Sequence, residues 1–225
     1  MNSFNKPTQL YFFLDFISHN AWLAWHQVHA LALRHDLVVE PVPVLFAGLL
    51  KAHGLVGPAE LPAKSSWMIW NVLRKAQQHG IPIAPPHSHP FNPLLPLRVA
   101  CCELPRMQRI DLINRMFAAA WTQGRAVSEP GVVAEVITEA GLNADLVMAE
   151  AQSAAVKTRL RDNTDDAIAA GVFGVPGMIV RGELFWGFDD LEHLDNFLRG
   201  LDPLGTDREA YADWFKVRAS AQRKR

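Results

Sequence analysis

A chain of 225 residues has room for one large domain, or for a small domain carrying an insert, and for a sizeable core. With 49% hydrophobic and 20% charged residues, the composition excludes intrinsic disorder. Twenty-two basic against 23 acidic side chains leave a formal charge of −1, so no general positive field exists to hold a nucleic acid or an anionic membrane.

Residues 9–14 are short, apolar and aromatic and stop at Asp15, as a buried strand running into a helix would. Ser18 is a natural N-cap for a helix over 19–35, where Trp22, Trp25, Val28, Leu31 and Ala32 recur at helical spacing. A second strand is expected over 37–46, irregular or at an edge because Pro41 and Pro43 cannot donate to a ladder. The opening is therefore β-α-β, with parallel strands. From 47 to 170 only helices and loops are expected: 63–79, a proline-rich segment 80–96, then 97–103, 106–121, 130–140 capped by Ser128, 144–152 capped by Asn143, and 158–170. Strands return at 178–180 and 184–186 around Arg181-Gly182-Glu183, and Asp189 and Asp190 offer caps for a last helix over 191–199. Residues 203–225, ending Arg223-Lys224-Arg225, read as a tail.

The two cysteines, Cys101 and Cys102, are adjacent, which suits neither an ordinary disulfide nor metal-ligand spacing. A reducing, cytoplasmic setting is expected. The first apolar run lacks a basic leader and a cleavage site, and no stretch approaches a membrane span.

Three segments meet if both chain ends share one sheet: 15–22, 174–177 and 186–189. Ser18 then lies among unpaired N–H groups at the positive end of a helix, where an anionic sulfur or oxygen is stabilised; position alone favours a plain cap. Pro176 precedes a strand and is either a cis proline, freeing the Val175 backbone for an extended ligand, or a trans proline starting the strand. Asp189 could hold an ammonium group or cap a helix. Of nine histidines only His19 is expected near this site; the His87/His89 pair has no partner at metal spacing, and no metal is expected. A nucleophile elbow and a phosphate loop are both missing.

Together, Phe13-Leu14-Asp15-Phe16-Ile17-Ser18, Gly171-Val172-Phe173-Gly174-Val175-Pro176 and Phe185-Trp186-Gly187-Phe188-Asp189-Asp190-Leu191 resemble the family of 2-hydroxychromene-2-carboxylate isomerases and kappa-class glutathione transferases, relatives of DsbA. The resemblance implies an α/β thioredoxin-like fold with a large all-helical insertion: a discontinuous domain of 1–46 and 171–202, an insert of 47–170 and a tail of 203–225. It implies glutathione as cofactor, with Ser18 hydrogen-bonding its thiol, Val175 before a cis Pro176 pairing with its cysteinyl backbone, and Phe188 and Asp189 gripping its γ-glutamyl end. Lys64 matches a family lysine that meets a carboxylate, although a solvated helix lysine fits equally. With Ser18 and Ala21 at the redox positions, thiol–disulfide exchange by this site is excluded.

Several positions depart from the family pattern. His19 and Asn20 follow Ser18 where Pro and an aromatic residue are common, and are expected to face the substrate. Leu55 stands where a glutathione-contacting Asn is common, Gly177 replaces a Thr or Ser, and Asp190 replaces an Arg. The expected activity is a glutathione-dependent isomerisation of an aromatic acid by reversible thiolate addition. The alternatives are a kappa-like transferase or peroxidase and a non-catalytic thioredoxin-like module. A small aromatic substrate and a homodimer are expected as partners.

Overall fold

The computed structural model describes residues 4–205 and 207–220. Its sheet has four strands, β1 (Gln9–Leu14), β2 (Val38–Pro43), β3 (Gly177–Val180) and β4 (Glu183–Trp186), in the order β2-β1-β3-β4. β1 and β2 run parallel from Gln9 opposite Val38 to Leu14 opposite Pro43, joined through α1 (His19–Arg34). β3 is antiparallel to β1, with Phe13 opposite Gly177, and β4 is antiparallel to β3. The two-residue turn between them, Arg181-Gly182, has φ of 50° and 83°. Positive φ at both positions gives the hairpin a twist that matches its strands.

Strand alternation sends β1 side chains to two cores. Leu10, Phe12 and Leu14 pack with Trp25 and Val28 of α1, while Tyr11 and Phe13 pack with Val42, Leu49, Ala167 and Ile179. A sheet buried on both faces needs apolar residues at every position of its central strand, which is why Leu10–Leu14 reads as a continuous run. β2 lies at the edge, where Pro41 and Pro43 leave no ladder donor missing from an inner strand.

Between β2 and β3 the chain forms α2 (Phe46–His53), α3 (Pro62–His79), α4 (Leu94–Ala100), α5 (Arg106–Trp121), α6 (Pro130–Glu139), α7 (Ala144–Ala151) and α8 (Ala154–Ala169); α9 (Leu191–Leu198) follows the sheet. Among the described residues no strand interrupts α2 to α8.

Local details differ from the sequence expectations. Phe46 begins α2 and is not the end of β2, because its amide donates to the Asp15 carboxylate (2.9 Å). α4 starts at Leu94, so Pro96 sits in the first turn, where a missing N–H costs no helical bond. Ser128 does not cap α6, whose N-cap is Glu129 without a side-chain bond. α8 begins at Ala154, since Ser153 Oγ accepts from the Val156 amide (3.2 Å). Neither Asp189 nor Asp190 caps α9: Asp189 pairs with Lys75, and Asp190 Oδ2 accepts from the Trp186 amide (2.8 Å). Asn143 caps α7 as expected. Within the tail, Glu209–Lys216 forms a 3-10 helix, whereas Arg223-Lys224-Arg225 lie outside the described residues.

Candidate functional site

β1 ends at Leu14 and the chain turns over Asp15-Phe16-Ile17 into α1, placing Ser18 at the helix N-cap. Its Oγ accepts from the Ala21 amide (3.1 Å) and donates to the Val175 carbonyl (3.2 Å). One hydroxyl therefore caps α1 and ties it to a loop 157 positions away. The Val175–Pro176 bond is cis, and the Pro176 carbonyl accepts from the Gly187 amide (2.8 Å). That bond brings the third predicted segment beside the other two. A Cβ at Gly174 would come within 2.4 Å of Trp186 Nε1, so a larger residue there would displace the indole.

Phe188 is buried, its ring edge-on to His79 at 5.0 Å, with Lys75 Nζ 5.7 Å from its centroid. Lys75 also donates to Asp189 Oδ2 (2.7 Å), so an ammonium group already occupies one oxygen of a carboxylate whose side chain is 77% exposed. Lys64, in the first turn of α3, and Leu55, just past α2, are both exposed; no hydrogen bond or ion pair joins Lys64 to the described residues. The structure thus brings together Ser18, Val175, Pro176, Phe188 and Asp189 and leaves Lys64 and Leu55 outside that cluster of contacts.

Four participants were not foreseen. Lys75 lies on α3 with nothing in its spacing to mark it. His89 belongs to the proline-rich segment and was expected away from the site, yet its Nε2 meets the Ile17 carbonyl (3.1 Å) and its ring stacks on His19 at 6.0 Å. Trp121, the last residue of α5, donates from Nε1 to the Phe16 carbonyl (2.8 Å) and stands edge-on to both imidazoles. Asp15, fully buried, accepts from the Ile17 amide (3.1 Å) through Oδ1 and from Phe46 through Oδ2.

Charge is handled unusually around Ser18. Burial pushes the Asp15 carboxyl up to about 7, against the pull of its two amide donors. Burial, aided by His89 and Lys75, pushes His19 down to about 3, so its imidazole is neutral. Neither nitrogen of His19 has a hydrogen-bond partner, and Asn20 Oδ1 has none either. Each such buried, unpaired polar atom costs about 1–3 kcal/mol. The chain's own thiols are remote from this chemistry: Cys101 and Cys102 are free and buried, and desolvation raises both to about 12. Among the described residues no group of side chains could hold a metal ion, and no helix is long and apolar enough to cross a membrane.

A cavity of about 330 Å³ lies elsewhere, between α1 and α5, lined by Trp25, His26, His29, Met107 and Ile110 among others. It includes none of the residues gathered around Ser18.

A helix N-terminus facing a cis-proline loop across a mixed four-stranded sheet, with helices inserted between β2 and β3, defines a thioredoxin-fold protein of DsbA type. Residues 9–199 match the family described as DSBA-like thioredoxin domain, and the chain belongs to it. Within that family it is 28% identical over 193 residues to a 2-hydroxychromene-2-carboxylate isomerase of Pseudomonas putida, covering 84% of this chain and 94% of the relative. It is 27% identical over 206 residues to glutathione S-transferase kappa 2 of Caenorhabditis elegans, covering 83% and 90%. A solved structure of a 2-hydroxychromene-2-carboxylate isomerase superposes with a TM-score of 0.79 at 25% identity, covering 93% of this chain and 100% of that one. The similar proteins are thus named as enzymes of isomerase and glutathione-transferase type.

Proposed function

We propose that this chain is a glutathione-dependent enzyme that interconverts cis and trans forms of a conjugated aromatic acid of the hydroxychromene-carboxylate kind. The observation that carries the reading is the Ser18 Oγ to Val175 carbonyl bond. It supports the reading because it holds a hydroxyl proton at a helix N-terminus, beside the backbone proposed to receive a peptide-like ligand.

The residues present fit glutathione. A peptide N–H arriving at the Val175 carbonyl takes the place of the Ser18 proton, and that proton becomes available to a sulfur beside it. The Ala21 amide and the dipole of α1 add positive potential at the same point. Asp189 keeps one carboxylate oxygen for the γ-glutamyl ammonium, with Lys75 on the other. Phe188 contributes backbone, and Lys64 and Leu55 are proposed to border the glycyl side. Glutathione, when bound, supplies the sulfur that adds to the conjugated double bond and leaves again after rotation. His19 and Asn20 face the aromatic substrate.

Ser18→Ala tests this reading. Turnover of 2-hydroxychromene-2-carboxylate is expected to fall by about 10²-fold, the size of one lost charge-stabilising donor, while calorimetry still detects glutathione. Unchanged turnover removes the role of Ser18. The kappa-class resemblance supports a second reading, conjugation or peroxide reduction, which consumes glutathione where isomerisation does not. A protein that binds no glutathione at all points to a non-catalytic module.

The partially exposed face of α3, with Trp67, Ile69, Trp70 and Leu73, supports the proposed homodimer, because large apolar surfaces mark contacts between proteins. The two free cysteines accord with the proposed cytoplasmic setting.

A further inference from the structure

His19, His89 and Trp121 form a wall beside Ser18 in which one ring is anchored differently from the other two. Trp121 is fixed by the Phe16 carbonyl and His89 by the Ile17 carbonyl, two successive acceptors immediately before Ser18. Since a carbonyl only accepts, His89 carries its proton on Nε2. His19 is held by packing alone: it is 7% exposed, and both nitrogens are enclosed and unpartnered. His89 lies over it, stacked at 6.0 Å with 27° between the rings, yet His89 is itself exposed and tethered by its hydrogen bond to Ile17.

An exposed aromatic ring resting on a buried, unsatisfied polar ring behaves as a removable cover. Buried polar atoms in native proteins are normally paired, and an exception calls for a missing partner. Moving His89 aside would break one hydrogen bond and open His19 to the space beside Trp121. Burial, with any proton on His89 and Lys75 on α3, disfavours a proton on His19, so its ring offers one neutral N–H donor and one neutral acceptor. Lys75 is already paired with Asp189.

We propose that the aromatic ring of the second substrate displaces the His89 imidazole from its place against His19 and Trp121, and that an uncharged oxygen on that substrate, a carbonyl conjugated to the ring, accepts a hydrogen bond from His19. This rests on the reading of Ser18 as the centre of an enzyme acting on an aromatic compound, and it adds what that reading lacks: a subsite for a neutral oxygen of that compound.

The two histidines then have opposite effects on binding, which a purely structural role for either would not produce. With trans-4-phenylbut-3-en-2-one as probe in calorimetry without glutathione, His89→Ala is expected to bind about fivefold more tightly, because a competing ring is gone. His19→Phe should bind about five- to tenfold more weakly, the worth of one hydrogen bond, and His19→Gln should recover part of the loss. trans-Stilbene, with the ring but no oxygen, should not distinguish His19→Phe from the parent protein. His89→Ala is a surface change and serves if His19→Phe does not fold. Equal affinity of the parent and His89→Ala, or absence of probe binding in both, overturns the proposal. Glutathione titration of the same proteins separates the failures: lost glutathione binding in the parent refutes the glutathione reading, and leaves the probe result to decide the subsite.

Discussion

Asp15 and His19 lie on either side of Ser18 and are expected to drive stability in opposite directions with pH. Asp15 is raised from its ordinary 3.8 to about 7 in the folded chain. Between those values the folded state keeps a proton that the unfolded state releases, so Asp15 stabilises fully below pH 3.8 and its contribution is lost as pH rises toward 7. At ~1.4 kcal/mol per pH unit, the loss is about 4 kcal/mol. His19 is lowered from 6.5 to about 3. Its contribution is complete above pH 6.5 and is lost as pH falls toward 3, a change of similar size and opposite sign. From pH 4 to 6.5 the two nearly cancel and the parent protein should show little slope from this pair. Asp15→Asn exposes the imbalance. The amide still accepts from one of the Ile17 and Phe46 donors but presents NH₂ to the other, costing about 1–3 kcal/mol at pH 4. By pH 8 the parent has lost its Asp15 contribution and the variant has not, so the variant should draw level or become the more stable by about 1–3 kcal/mol. Urea unfolding of both proteins from pH 4 to 8 measures the difference directly. A difference that stays constant within about 1 kcal/mol across that range refutes the argument that desolvation governs Asp15.

Ser18→Cys should create a thiol with a pKa of roughly 6–7.5, read from thiolate absorbance against pH, because a helix N-terminus stabilises the anion; a value at or above the free thiol's excludes an anion site there. Cys101 and Cys102, held at about 12, should resist alkylation in the native protein and react only on unfolding, and rapid native labelling would contradict their burial. Asp189→Asn should weaken glutathione by about tenfold yet hardly move the melting temperature, since the Lys75–Asp189 pair is largely solvated on the aspartate side; unaltered affinity rules out the ammonium role. Trp121→Phe, which orphans the Phe16 carbonyl, should destabilise by about 1–3 kcal/mol in chemical denaturation; a neutral result would show the indole bond to be replaceable.

The fold was legible wherever periodicity and caps agree. Leu10–Leu14, the α1 stripe of Trp22, Trp25 and Val28, and the Arg181-Gly182 turn all carry their own local signal. Boundaries failed where a partner distant in sequence decides them: Asp15 fixes the start of α2 from 31 positions away. Asp189 and Asp190 have the chemistry of caps, but Lys75 and the Trp186 amide claim them instead. Ser18, Val175 and Asp189 could be singled out as candidates because a family motif spans each. His89, Lys75 and Trp121 could not, since their relation to Ser18 exists only after α3, α5 and the proline-rich segment pack. His19 was visible as a neighbour of Ser18, whereas its unsatisfied nitrogens are a property of the packed interior.

The sheet has a consequence for how this protein is made. Its central strand, β1, is synthesised before every helix of the insert, but the antiparallel neighbour of that strand, β3, emerges only after α8. On the ribosome α5 to α8 can pack as local neighbours while β1 has one open edge and the apolar side chains of Tyr11 and Phe13 lack Ile179. A nascent chain halted at the end of α8 would carry Ser18 and every helix of the insert, yet lack the carbonyl to which that serine is tied. Helix packing can therefore precede assembly of the site, and synthesis of the segment that follows α8 decides whether the protein has one.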